Sequence, residues 1–420
     1  MIKVIHLSHS YSNGGAAIAC QRIHLAVSQK ISSQVLINDG KSLCCSNVIN
    51  ISSSKIEAYK NKIKTYLENK MKLAFGYKDG YSSLSIFNSG ILKKYEYILH
   101  SADIIHLHWI NKNLISIEEI KQINKPIIWT LHDMWMFMNA RHYSNASVEL
   151  TFLNRIIEKI VFLRKKNNWI NLNIHVVVPS QWMEKCFKQS IWSKYFNCTV
   201  IPNPIDLKIW GAKGIKKSRE LLGLSDKSRI VLFGAVGGTT DRRKGFAYLE
   251  SAIKILACNY NKSYNIVLAT FGGDDFINNI NGIDVINFGK ISDANILSNI
   301  YSAADVFVSP ATQEAFGQTS LESLACGTPV IAFDETGAED LIEHKINGYL
   351  AKNSSVDDLL KGIIWSLENY NRSEIMNNCR RSVLKFDSGI IADKYIEMYK
   401  RILISRSCKK FETSINACDD

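Results

Sequence analysis

Two glutamates, Glu314 and Glu322, stand eight residues apart in the stretch 301–351, YSAADVFVSPATQEAFGQTSLESLACGTPVIAFDETGAEDLIEHKINGYLA. The stretch reads as a strand over 306–309, a small-residue loop from Pro310 that carries Glu314, a helix opening on Gly-Gln-Thr-Ser, and a strand over 330–333. A helix start offers free backbone N–H groups and the positive end of the helix dipole, and both favour a phosphate. Ionised carboxylates cannot hold a phosphate, but they accept hydrogen bonds from hydroxyl groups. A phosphate beside many hydroxyls describes a nucleotide sugar.

Other residues could join such a site. Gly14 and Gly15 follow the first strand and lead into a helix, where the backbone could approach a ligand closely; a plain turn reads equally well. In Asp-Ile-Ile-His-Leu-His-Trp, His106 and His108 share one face of a strand. Packing or substrate contact fits that pair better than zinc, which would want a third ligand. His132 and Asp133 end a further strand, with Trp135 just beyond, and suit hydrogen bonding to a sugar or acid–base work. In the second half a glycine-rich loop from Gly234 leads to Asp241-Arg242-Arg243-Lys244-Gly245, a basic triplet at a helix start that fits a diphosphate. The run is not a P-loop, and Gly14-Gly15 is not a dinucleotide fingerprint. Gly289-Lys290-Ile291 ends another strand and could border a base or ribose.

Positioning these groups takes an alternation of strands and helices. Apolar β-rich runs at 2–7, 34–37, 104–107, 126–131 and 175–178 are separated by helical periodicity, clearest over 16–29 and 150–164. The Val-Ile-Pro-Asn-Pro-Ile-Asp run at 200–206 marks a domain boundary, and a second alternating set follows. The expected fold is α/β: two doubly wound Rossmann-like domains facing each other across a cleft, with ligands at the carboxyl ends of the strands. The expected divisions are one domain over 1–203 and a second, carrying the basic triplet and the two glutamates, over 204–385. A helix over 386–404 would cross back to the first domain, and 405–420 would be a frayed tail.

Composition narrows the class. A chain of 420 residues is too long for one ordinary core. No apolar run is long enough for a transmembrane helix, and no secretory signal is expected at the N-terminus, so the expected location is cytoplasmic. Ten scattered cysteines fit reduced thiols, with Cys20, Cys258 and Cys326 expected to be buried in helices. Net charge is +12, without a nucleic-acid motif. Basic residues gather at Lys213, Lys216, Lys217 and Arg219, and over 54–78, an amphipathic helix that includes Lys60, Lys62, Lys64, Lys70 and Lys72. Either a solvated face or contact with an anionic inner-membrane surface accounts for that helix.

Taken together, the Glu314–Glu322 pair within SPATQEAFGQTSLESLACGTPVIAFDETGAEDLI, Gly14-Gly15, residues 241–245, 289–291 and 200–206 resemble the retaining GT-B glycosyltransferases of family 4, with their E-x7-E motif. The segment DIIHLHWI…KPIIWTLHDMW is similar to a subgroup of bacterial exopolysaccharide and O-antigen clusters. The resemblance implies a metal-independent hexosyltransferase. It would use a UDP- or GDP-linked sugar as co-substrate, no other cofactor, and a saccharide or lipid-linked saccharide acceptor. It also implies roles. Glu314 would hold donor-sugar hydroxyls and Glu322 the ribose. Backbone groups at Phe316, Gly317, Gln318 and Thr319 would face the sugar and phosphates. Lys244, with Arg242 or Arg243, would neutralise the leaving diphosphate, which Gly15 would approach from the other domain. His132 would contact the sugar, and Gly14, His106, His108, Asp133 and Trp135 would line the acceptor side. Transfer would retain the anomeric configuration by front-face attack, the leaving phosphate helping to deprotonate the acceptor.

Two departures stand out. Ala235 replaces an arginine usual after the first glycine of its loop, and residues 136–143 lack the subgroup's glycine- and cysteine-containing loop. The alternatives are a nucleotide-sugar 2-epimerase of the same fold, which would need no acceptor, and a non-catalytic sugar-nucleotide-binding protein.

Overall fold

The computed structural model describes residues 1–38, 47–51, 55–77, 82–143, 150–259, 265–273, 277–368 and 371–416. The chain divides into two compact units, one of residues 1–179, 183–202 and 389–420, the other of residues 180–182 and 203–388.

The first unit holds a seven-stranded parallel sheet of β1 (Lys3–Leu7), β2 (Ser32–Ile37), β3 (Val48–Asn50), β4 (Ile104–Leu107), β5 (Ile127–Thr130), β6 (Ile174–Val178) and β7 (Asn197–Val200), in the order β3-β2-β1-β4-β5-β6-β7. Its inner strands are near-continuous apolar runs because helices cover both faces. On one face α1 (Gly15–Ser28) and the C-terminal helix pack Ile23, Val27, Ile391, Tyr395 and Tyr399 against Val4, Ile104 and Ile128. On the other, Trp129 and Trp135 meet Trp169 of the helix Phe152–Trp169 edge-on, and Trp169 meets Trp192. The C-terminal helix runs from Ser388 to Asn416, so the segment expected to fray from Ser405 is helical as far as Asn416.

The second unit repeats the plan with β8 (Ser228–Gly234), β9 (Asn265–Phe271), β10 (Asn279–Ile280), β11 (Ile283–Asn287), β12 (Val306–Ser309), β13 (Val330–Phe333) and β14 (Gly348–Ala351). The order is β10-β11-β9-β8-β12-β13-β14, with only the short β10 antiparallel. Asp305, buried just before β12, ties the base of this unit together. Its carboxylate accepts Arg219 Nη2 at 2.6 Å, Arg372 Nη1 at 2.6 Å, Arg229 Nη1 at 3.1 Å and the Ile230 N–H at 2.7 Å. Arg219 is therefore an interior residue and not part of a basic surface. Cys20 and Cys326 are buried, but Cys258 is exposed, because its helix turns that position away from the core. Among the described residues no helix is long and apolar enough to cross a membrane.

Candidate active site

Among the parallel strands of each sheet the order reverses direction once, between β1 and β4 and between β8 and β12. Loops leaving neighbouring strands at such a point diverge and open a crevice at the carboxyl ends. Gly14 and Gly15 follow β1, Arg242, Arg243 and Lys244 follow β8, and Glu314 follows β12, so these six stand at the two reversal points.

In the second unit the loop after β8 carries Arg242, Arg243 and Lys244, and the loop after β12 carries Glu314. Seventy residues apart, Lys244 Nζ donates to Glu314 Oε2 at 2.6 Å, and Arg243 Nη1 lies 3.8 Å from the same oxygen. The loops are stitched further: Arg243 Nη1 donates to the Gln313 carbonyl at 2.8 Å, and the Thr312 N–H to the Arg243 carbonyl at 3.1 Å. Asp241 caps the basic turn by accepting the Arg243 N–H. Burial works to raise the Glu314 carboxyl, but Lys244 and Arg243 outweigh it and hold the group below the usual carboxylate range. Glu314 is thus an ionised acceptor. Arg242 beside it is exposed.

The helix Gln318–Ala325 follows, with Gly317 as its N-cap, so Gln318 and Thr319 stand in its first turn at the positive end of the helix dipole. Glu322 is only 6% exposed and accepts the Tyr301 hydroxyl at 3.1 Å. The Phe316 ring is in the core against Phe386, and its backbone N–H lies on the Glu314 side and helps hold that carboxyl low. Ile291 packs half-buried against the same core.

In the first unit Gly15 opens α1 after Gly14, and a Cβ on either would meet nothing within 4 Å, so the space above them is open. His132 is half-buried just beyond β5, and burial draws it down to about 4 against the pull of Asp133. Asp133 accepts His142 Nδ1 at 2.7 Å, Trp109 Nε1 at 2.8 Å and the Trp135 N–H at 2.8 Å. Burial opposes its ionisation, and these partners with His142 foremost outweigh that and hold the carboxyl low. Asp133 is consequently a brace for the loop.

Three residues expected on the acceptor side are instead interior. Trp135 is fully buried, its ring donating to the Ser83 carbonyl at 3.0 Å, because the Asp133 turn swings it inward. His106 is hydrogen-bonded to Tyr399 and Thr130 hydroxyls at 2.9 and 2.7 Å. His108 is hydrogen-bonded to His6 and His132, at 3.0 Å each. One ring nitrogen from each of His6, His106 and His108 lies within 4.8 Å of the others, which adds the third histidine that the sequence reading did not pair with them. Only strand pairing reveals it, since His6 of β1 stands in register with His106 of β4. Lys165 was also missed: fully buried, it donates to the carbonyls of Trp135, Met138 (2.9 Å) and Asn139 (2.7 Å) and fastens the loop beyond Asp133.

Comparison with known proteins follows the same division. Two parallel α/β units of this kind define the GT-B fold. The chain shares it with the sucrose-phosphate synthase of Thermosynechococcus elongatus at a TM-score of 0.71 and 20% identity, covering 96% of this chain and 100% of that one. Residues 215–383, nearly the whole second unit, match the family described as glycosyl transferases group 1. An uncharacterized glycosyltransferase of Methanocaldococcus jannaschii is 30% identical over 43% of this chain and 47% of its own length. The N,N'-diacetylbacillosaminyl-diphospho-undecaprenol alpha-1,3-N-acetylgalactosaminyltransferase of Campylobacter jejuni is 29% identical over 33% of this chain and 38% of its own. The match thus spans less than half the length of these curated relatives.

Proposed function

We propose that the protein is a retaining glycosyltransferase of the family 4 kind. It moves a sugar from a UDP- or GDP-linked donor to a lipid-linked saccharide acceptor in surface polysaccharide synthesis, at the inner face of the cytoplasmic membrane. The observation that carries the reading is the Lys244–Glu314 ion pair at the reversal point of the unit matching the glycosyl transferases group 1 family. An arriving diphosphate competes for Lys244, and the exposed Arg242 adds charge to the same end. Glu314, released from Lys244 but still ionised beside Arg243, then accepts hydrogen bonds from sugar hydroxyls next to the anomeric carbon. The first-turn N–H groups at Gln318 and Thr319 face the phosphates, and Glu322 reads the ribose. As the glycosidic bond to phosphate breaks, Lys244 stabilises the charge left on the diphosphate, whose oxygen takes the acceptor's proton. The lipid-linked acceptor rests on the name of the Campylobacter relative, whose acceptor is a diphospho-undecaprenol.

Membrane contact belongs to α2 (Lys55–Ala74). Its Tyr59, Ile63, Tyr66 and Leu73 are exposed on one face, among exposed Lys60, Lys62 and Lys70. Aromatic and aliphatic groups among lysines suit the interface of an anionic bilayer. Lys64 and Lys72 turn inward, donating to the Asn88 and Ser82 carbonyls. Liposome sedimentation with anionic vesicles should show binding that falls as salt rises; binding that is absent or indifferent to salt refutes this surface.

The enzymatic test is a panel of UDP- and GDP-sugars screened by thermal shift, followed by transfer of the labelled sugar to diphospho-undecaprenol saccharides. Glu314→Ala should keep the fold and lose transfer. Near-normal turnover in that variant sinks the assignment.

A further inference from the structure

Three imidazoles form a row in the first unit. His6 Nδ1 is hydrogen-bonded to His108 Nε2 at 3.0 Å, and His108 Nδ1 to His132 Nε2 at 3.0 Å. The rings lie edge to edge and close to coplanar, His6 and His108 with centroids 5.2 Å apart and planes 26° apart, His108 and His132 at 5.3 Å and 12°, as in-plane N–H···N links require. Each residue comes from a different strand end: His6 from β1, His108 just past β4, and His132 just past β5. Register fixes the row, because β1 and β5 both pair with β4.

Burial keeps all three rings neutral. Three neutral imidazoles carry three N–H groups. Each of the two links consumes one as donor, so a single N–H remains, at one end of the row or the other. The inner end is His6 Nε2, which is buried and has no hydrogen-bond partner among the described residues. The outer end is Nδ1 of half-buried His132. An orphan N–H in the core forfeits its hydration outright, and orphan donors are rarer in interiors than under-used acceptors. The proton arrangement that avoids one points every N–H outward: His6 Nδ1–H to His108, His108 Nδ1–H to His132, and His132 Nδ1–H to whatever lies beyond.

We propose that His6 and His108 are positioning residues that hold His132 as its Nδ1–H tautomer, making it a hydrogen-bond donor to a substrate oxygen and not a base. The last step rests on the glycosyltransferase reading; the tautomer does not. His132 Nε2 is occupied as an acceptor, so its outer nitrogen has no lone pair with which to remove a proton.

Nitrogen-15 NMR of the histidine-labelled wild-type protein at neutral pH tests the tautomer directly. His132 should show a protonated Nδ1 and a pyridine-type Nε2. A protonated His132 Nε2 overturns the proposal. His108→Phe should release His132 towards the Nε2–H form that free imidazole side chains favour, and His108→Asn, whose amide can still donate, should restore Nδ1–H. His106→Asn perturbs the same core outside the row and should leave the His132 signals unchanged. In transfer assays His108→Phe should lower kcat roughly 10- to 100-fold, the scale for a lost transition-state donor, with KM little altered and His108→Asn recovering most of it. Zinc titrated into the wild-type protein should leave the three rings unshifted; stoichiometric capture by His6, His106 and His108 would mean a metal site and overturn the row. If no nucleotide sugar is turned over while the NMR pattern holds, the glycosyltransferase reading fails and the tautomer stands.

Discussion

Gly245 closes the basic turn with φ at +74°, and a Cβ built there lies 1.8 Å from the Pro310 carbonyl oxygen and 2.8 Å from its carbon. Gly245→Ala therefore carries two costs. The left-handed backbone costs an alanine about 1–2 kcal/mol. The clash is with backbone, so the two loops must part by roughly 1.6 Å to restore an ordinary contact of 3.4 Å, and forced overpacking of that kind costs about 1–3 kcal/mol more. Gly223 isolates the first cost, since its φ is +67° but nothing lies within 4 Å of its Cβ. Urea unfolding should show Gly223→Ala losing about 1 kcal/mol and Gly245→Ala about 2–5 kcal/mol. The excess has a functional consequence. A parting of that size stretches the 2.6 Å Lys244–Glu314 contact beyond the range of an ion pair. Titration calorimetry with UDP and GDP should then show at least a tenfold loss of affinity in Gly245→Ala and none in Gly223→Ala. Equal stability losses in the two variants, or undiminished diphosphate binding in Gly245→Ala, would refute the reasoning.

Lys244→Ala and Glu314→Gln should act oppositely on diphosphate binding. The first loses a charge-assisted contact worth roughly 2 kcal/mol, while the second frees Lys244 and leaves affinity unchanged or higher; calorimetry showing the same sign for both counts against ion exchange at this pair. Acid should destabilise the first unit: His24 and His106 are drawn by burial to about 4 and about 3 from 6.5. The unfolded chain therefore takes up more protons below pH 6.5, and stability present in full above that value is lost as pH falls towards 4 and 3. At pH 5 each of the two contributes a loss of about 2 kcal/mol, and a urea midpoint that holds or rises between pH 7.5 and 5 contradicts it. Asp305→Ala removes the only carboxylate on the buried Arg219 guanidinium among the hydrogen bonds described and should cost about 3–5 kcal/mol in denaturant unfolding; a loss below 1 kcal/mol would mean that the backbone carbonyls of Ser225, Asp226, Ser228 and Ala303 satisfy Arg219 on their own.

Most long elements were legible because their apolar periodicity spans a full strand or several helical turns. The strands 104–107, 306–309 and 330–333 were placed to the residue. β7 and β14 were missed for a physical reason. Asn-Cys-Thr-Val is a half-exposed edge strand with little apolar content, and Gly-Tyr-Leu-Ala opens on a glycine that sits against the Val330 carbonyl. Site residues followed a similar rule. Glu314 and Lys244 were identified from the loops they occupy. Trp135 was misplaced because proximity in sequence to His132 says nothing of direction, and a single turn bonded to Asp133 sends it into the core. His6 carried no local signal; its meaning depends on pairing with strands a hundred residues on.

Sheet order accounts for that difference. A motif on one loop can be read from its own residues, whereas a pair drawn from two loops exists only once neighbouring strands are known. β8 and β12 are distant in chain but adjacent in the sheet, so Lys244 and Glu314, 70 residues apart and each one loop beyond its strand, are forced together where the strand order reverses. The same geometry at β1 and β4 brings His6 beneath His108. In the second unit the pair is charged and its loop reaches solvent at Arg242, so its natural response is exchange with an incoming anion. In the first, the group is neutral and buried except at His132, so its natural response is to fix where one proton points.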